Sequence, residues 1–204
     1  TPWNFPMNLP ARKVGAALAA GCSAVFKPAE ETPGTAVALV RAFHDAGLPA
    51  GVLNLVFGEP QRVSSRLIAN EGIRKVSFTG SIPVGKQLGA LCAQGMKRYT
   101  AELGGHAPVL VLPDADAAQT ARLSVDAKYR NAGQVCASPT RFLVHASLFE
   151  TFLNAFCEGA RKLRVGNPIE PGIDMGPLAH VRRVTEMQAL VDDALACGAT
   201  LMCG

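Results

Sequence analysis

The sequence predicts an α/β fold built on parallel strands, and three observations carry that expectation. Short apolar runs alternate with helix-period segments along the whole chain. Glycine and proline, 20 and 14 in 204 residues, fall between those segments as punctuation. Hydrophobic residues make up 49% and charged residues 18%, a balance that supports a packed core and disfavours disorder.

The elements follow in order. RKVGAALAAG, Arg12–Gly21, is a small-residue helix ending at a glycine. A short strand, Ser23–Lys27, is closed by Pro28. Thr35–Ala46 reads as a helix stopped by Gly47 and Pro49. A strand at Val52–Val56 and a helix at Gln61–Asn70 come next. Arg74–Phe78 is a strand, and Ile82–Ala93 a helix. RYTAEL and APVLVL read as two further strands. After DADAA a helix runs to the neighbourhood of Arg130, followed by a strand at Arg141–His145 and a helix at Leu148–Lys162. Val165–Pro177 is a long Gly/Pro-rich loop. The last helix, Val181–Cys197, leads into a final strand, ATLMC. A boundary is expected near Gly104–Gly105, dividing the chain into residues 1–104 and 105–204.

Composition excludes several classes of function. The net charge of +4 is spread without a long basic run, and nine Phe, two Tyr and one Trp offer little for stacking bases, so no nucleic-acid partner is expected. Six cysteines lie at positions 22, 92, 136, 157, 197 and 203, with no C-x-x-C pair and no H-x-x-x-H pair, so no metal site is expected. Cys92, Cys157 and Cys197 fall in helix-like stretches and read as small hydrophobes. This usage suits a reducing compartment, and a cytoplasmic location is the expectation. No apolar run is long enough to span a membrane. The chain begins inside a dense motif and reads as a fragment of a longer polypeptide.

FTGSIPVGKQL, Phe78–Leu88, meets the glycine and lysine positions of a P-loop from Gly80 to Lys86, but Gln87 replaces the magnesium-binding hydroxyl. Its spacing also fails the Rossmann fingerprint. By itself it marks a strand–turn–helix with an anion-ready end, or simple structural punctuation. KPAEETP sets Lys27 three residues from Glu30, which fits a ribose-chelating carboxylate or an exposed charged loop. In NAGQVCASPTR, Cys136 occupies a turn-rich stretch suited to a thiolate nucleophile. Glu102 ends a strand before two glycines, where a carboxylate could activate water or simply face solvent. Asn4, pinned between prolines, reads as an oxyanion donor or a turn residue.

In combination, TPWNFP, KPAE, FTGS with VG, ELGG and NAGQVC, in this order, resemble the aldehyde dehydrogenase superfamily across essentially the whole chain. The resemblance implies a Rossmann-like cofactor part followed by part of an α/β catalytic domain. It implies that Cys136 attacks the aldehyde to form a thiohemiacetal, with Asn4 and the Cys136 N–H on the oxyanion. Hydride transfer to a nicotinamide then leaves a thioester, which water activated by Glu102 hydrolyses to the acid. It implies cofactor contacts from Trp3, Lys27, Glu30, Gly80, Ser81 and Gly85, and Glu30 favours NAD over NADP. The second glycine-rich turn of many members is reduced here to Gly58.

LPARKVGAALAAGC and KYRNAGQVC are most similar to the succinate-semialdehyde dehydrogenase branch. That similarity implies that Arg12 and Arg130 clamp the substrate's distal carboxylate, a pairing that suits planar guanidinium groups. On the residues alone, Arg12 also reads as a solvated helix residue and Arg130 as part of an ion pair. Ser138 stands where some members carry a second cysteine, so no disulfide control at Cys136 is expected. The expected partners are a small-molecule aldehyde and, in the full-length enzyme, further copies of itself. A non-catalytic fragment is the second reading, because the later E-x-F-G-P segment is absent; a P-loop ATPase is the third.

Overall fold

Every strand pairs in parallel, and each has a single partner. The protein is described here by a computed structural model covering residues 1–204. It divides into two units, Thr1–Gly104 and Gly105–Gly204. The first contains α1 (Asn8–Ala19), β1 (Ala24–Phe26), α2 (Pro33–Asp45), β2 (Leu53–Leu55), α3 (Pro60–Ala69), β3 (Lys75–Gly80), α4 (Ile82–Gln94) and β4 (Arg98–Leu103). The second contains β5 (Val109–Val111), α5 (Ala117–Tyr129), β6 (Phe142–Val144), α6 (Phe149–Arg161) and α7 (Val181–Ala196).

The strands form three separate pairs, β1–β2, β3–β4 and β5–β6, rather than one continuous sheet. Parallel neighbours need a crossover between them, and each pair brackets one helix, α2, α4 or α5. The expected α/β class holds.

Local chemistry sets the helix starts. α1 begins at Asn8, earlier than the expected Arg12, because Pro10 lies in the first turn, where its missing N–H breaks no bond. Glu59 caps α3, accepting from the N–H groups of Gln61 and Arg62 at 2.9 and 2.6 Å, with Pro60 at the first position. Asp116 caps α5 through Gln119 N–H at 2.9 Å.

Burial follows the 3.6-residue and two-residue periods. Phe26, Ala36 and Leu39 form one cluster, and Ile68, Leu88 and Cys92 a second. Val76, Phe78 and Tyr99 turn one face of β3–β4 onto the second cluster. The alternate residues Ser77, Thr79, Thr100 and Glu102 therefore share the opposite, polar face. In the second unit Val111, Ala117, Ala121 and Phe152 are buried together. Phe142, Phe152 and Phe156 meet there with ring centroids 5.2 to 5.9 Å apart.

Two expectations are corrected. Ala199–Cys203 forms no strand: it has no ladder partner, and a lone extended segment has nothing to hold it. Cys197 is not a buried helix residue; it lies just past α7 and is exposed, whereas Cys92 and Cys157 are buried.

Candidate active site

In the first unit the polar face of β3–β4 gathers the ionisable groups. Thr79 and Glu102 are register partners at the carboxyl ends of the two strands. Thr79 is 7% exposed, and its Oγ1 has no hydrogen-bond partner. Glu102 is exposed. Lys13 reaches this face from α1, donating from Nζ to Ser77 Oγ at 2.9 Å. Burial pushes the Lys13 pKa down, the charge of Glu102 pulls it back up, and Lys75 and Arg12 push it down further. Lys13 is a residue of this polar face that the sequence alone did not single out. It lies next to Arg12, and its partner Ser77 is 64 residues away, so only the fold brings them together.

The turn from β3 into α4 fits an anion. Ser81 occupies the N-cap position with extended backbone, yet its hydroxyl makes no capping bond. The first-turn N–H groups of α4 also lack intrahelical acceptors, and the helix dipole favours negative charge there. Side chains crowd Gly80 and Gly85. A Cβ on Gly80 would lie 2.5 Å from the Phe78 ring, and one on Gly85 2.6 Å from Leu103 Cδ2. Gly85 is buried and lets α4 close onto β4, where Tyr99 also donates to its carbonyl at 2.8 Å.

Lys27 and Glu30 leave the end of β1 as an ion pair, with Lys27 also donating to the Pro28 carbonyl at 2.9 Å. Burial pushes the Glu30 carboxyl up, but the hydrogen bond and charge of Lys27 and a backbone N–H outweigh it and hold the carboxyl below its ordinary value. Trp3 and Asn4 are half-buried in the bend that precedes α1, and Arg12 is exposed on that helix.

In the second unit, Cys136 is an exposed free thiol in the turn between α5 and β6. The chain enters this turn through three successive left-handed residues, Asn131 (φ 52°), Ala132 (φ 55°) and Gly133 (φ 73°). It leaves through Ser138, which is buried and donates to the Lys128 carbonyl at 3.3 Å. Gly105 approaches the far side, where a Cβ would lie 3.8 Å from the Cys136 carbonyl oxygen. Thr140 donates from its hydroxyl and its N–H to the His106 carbonyl, fixing that approach. Arg130 is exposed at the end of α5, six residues before Cys136.

The predicted residues are thus divided between the units. Trp3, Asn4, Arg12, Lys27, Glu30, Gly80, Ser81, Gly85 and Glu102 belong to the first, and Arg130 and Cys136 to the second. No cluster of His, Cys, Asp or Glu in either could hold a metal ion. No helix is long and apolar enough to cross a membrane.

The family model described as "Aldehyde dehydrogenase family" matches residues 1–204. A 4-(hydroxymethyl)benzenesulfonate dehydrogenase of Comamonas testosteroni is 50% identical over 199 residues, covering 98% of this chain and 41% of that protein. A succinate-semialdehyde dehydrogenase of Escherichia coli, named for NADP(+), is 41% identical over all 204 residues, 42% of its own length. The crystal structure of succinate-semialdehyde dehydrogenase from Burkholderia pseudomallei superposes with a TM-score of 0.97 at 44% identity, covering 100% of this chain and 42% of that one. The chain therefore spans about two fifths of the length of these relatives.

Proposed function

The chain belongs to the aldehyde dehydrogenase family, and on that premise we propose that it supplies the chemistry of an NAD-dependent oxidation of an ω-semialdehyde to the carboxylic acid. Cys136 is the nucleophile, and its exposed thiol on a tightly held turn is the observation that carries the reading. The turn leaves Sγ accessible while fixing the backbone, so the thiolate meets the carbonyl without the loop having to order. Asn4 and the Cys136 N–H stabilise the oxyanion. Glu102 takes the proton from the water that releases the acid, and Lys13 lies on the same face through its bond to Ser77.

The residues fit a nicotinamide dinucleotide, which supplies the two-electron acceptor when bound. The orphaned Thr79 hydroxyl wants a partner, and the uncapped start of α4 with the free Ser81 hydroxyl suits a phosphate. Trp3, half-buried in the bend before α1, offers a flat apolar wall. Lys27 and Glu30 hold the adenosine ribose; the Glu30 carboxylate accepts from its hydroxyls and repels a 2′-phosphate, which favours NAD. Gly80 and Gly85 keep the β3–α4 turn tight enough for that approach.

Arg12 and Arg130 hold the anionic end of the substrate; both are exposed, and a guanidinium can fork onto two oxygens. The relative named for 4-(hydroxymethyl)benzenesulfonate, an aromatic alcohol bearing a sulfonate, supports a second substrate reading, the aldehyde that oxidation of such an alcohol yields, which the same arginines would bind. The test uses the full-length protein that contains this chain. NADH formation is expected from succinate semialdehyde and absent in Cys136→Ala; turnover that survives the substitution refutes the nucleophile. Faster turnover of a sulfonated aromatic aldehyde selects the second substrate.

A further inference from the structure

We propose that Gln134 is the positioning residue of the Cys136 turn, an inference that rests on Cys136 being the nucleophile. Its carboxamide is used at both ends. Nε2 donates to the Asn131 carbonyl at 3.1 Å, and Oε1 accepts from the Ala179 N–H at 3.0 Å. The partners fix the orientation, because exchanging O and N would set acceptor against acceptor and donor against donor. The Gln134 N–H donates to the same Asn131 carbonyl at 3.0 Å, and Asn131 Nδ2 returns a longer bond to the Gln134 carbonyl at 3.4 Å.

These bonds close around the one stretch of this unit that most needs holding. Asn and Gly tolerate left-handed backbone, but Ala132 has no polar side chain to ease its φ of 55°. Such a residue persists only where its surroundings over-determine it. Gln134 supplies that constraint and also ties the run to the segment before α7, 45 residues further on. On the other side of Cys136, the Ser138 N–H donates to the Val135 carbonyl at 3.0 Å, and the buried Ser138 hydroxyl anchors to α5. Between Gln134 and Ser138 the only side chain with a reactive atom is Cys136. The clamp at Gln134 therefore sets where the sulfur points without touching it.

The test compares Gln134→Met and Gln134→Glu in the full-length protein. Methionine keeps the length and removes both bonds; glutamate keeps the acceptor for Ala179 and loses the donor to Asn131. Four quantities are read: kcat and KM with succinate semialdehyde and NAD, the rate of Cys136 alkylation by iodoacetamide, and the unfolding midpoint. Gln134→Met is expected to lower kcat about 10- to 100-fold, the size of effect that misplacing a reacting group produces, with KM for NAD unchanged. The alkylation rate should move with kcat, and Gln134→Glu should recover part of both. Wild-type kcat and alkylation rate in both variants, with or without a lower midpoint, overturn the proposal. If the methionine variant does not fold, the glutamate variant decides on the same two readouts. Turnover that survives full alkylation of Cys136 in the unaltered protein refutes the nucleophile instead, independently of Gln134.

Discussion

Thr79 and Glu102 face each other directly across β3–β4, one a buried hydroxyl without a partner, the other an exposed carboxylate at a strand end. An unpaired buried hydroxyl costs about 1–3 kcal/mol, and valine has nearly the same shape without it. Thr79→Val is expected to raise the stability of the ligand-free protein by about 1 kcal/mol in urea denaturation. It should also weaken nicotinamide-cofactor binding several-fold in a fluorescence titration. Lower stability would show that the hydroxyl is satisfied.

Gly85→Ala tests the packing of α4 on β4. Alanine favours a helix over glycine by roughly 1 kcal/mol. Here the added carbon would sit 2.6 Å from Leu103 Cδ2, and overpacking of that kind costs about 1–3 kcal/mol. The clash wins, so net destabilisation is expected. Gly15, inside α1, has nothing within 4 Å of its would-be Cβ. Gly15→Ala should therefore stabilise this chain by up to about 1 kcal/mol. The same sign in both would contradict the geometry.

Arg12→Met and Arg130→Met test the anion clamp. A hydrogen bond to a charged group is worth about 1.5–3 kcal/mol, which corresponds to more than tenfold in binding. Each variant should raise KM for succinate semialdehyde by at least about tenfold and leave KM for a neutral aldehyde of equal length unchanged. Equal effects on both aldehydes would assign the arginines to structure.

Glu30 carries a pH dependence of definite sign. The Lys27 bond and charge outweigh burial and hold its folded carboxyl below 4.5. The ion pair's contribution is therefore complete above 4.5 and is lost as the pH falls through the lower folded value. Glu30→Gln should flatten this part of the acid limb in denaturation midpoints measured from about pH 6 down to pH 3. It should also shift cofactor preference toward NADP, since the carboxylate that repels a 2′-phosphate is gone.

The periodic parts of this chain were legible in its sequence, and the tertiary ones were not. The 3.6-residue pattern of Ile82–Gln94 and the apolar run at Phe142–Val144 lie within a residue or two of where they were read. Pro10 hid the first turn of α1, because proline reads as a stop although it is harmless there. ATLMC carries strand-like residues, but a strand also needs a neighbour, which local composition does not reveal. Cys136 and Glu102 stood out as chemistry-bearing residues in unusual places. Lys13 and Gln134 did not, since their meaning lies in Ser77 and Ala179, 64 and 45 residues away.

The three separate strand pairs have one further consequence. Each pair leaves an unfilled row of backbone N–H and C=O groups on both of its flanks, six open edges in all. Most of these strands are only three residues long, which limits what any one edge can recruit. β3 and β4, at six residues each, present the longest free ladders in the chain. Water satisfies such groups, but an added strand satisfies them and buries apolar surface at once. Main-chain pairing at the outer flanks of β3 and β4, whether with more of the same polypeptide or with another copy, is thus where this chain is most open to being extended.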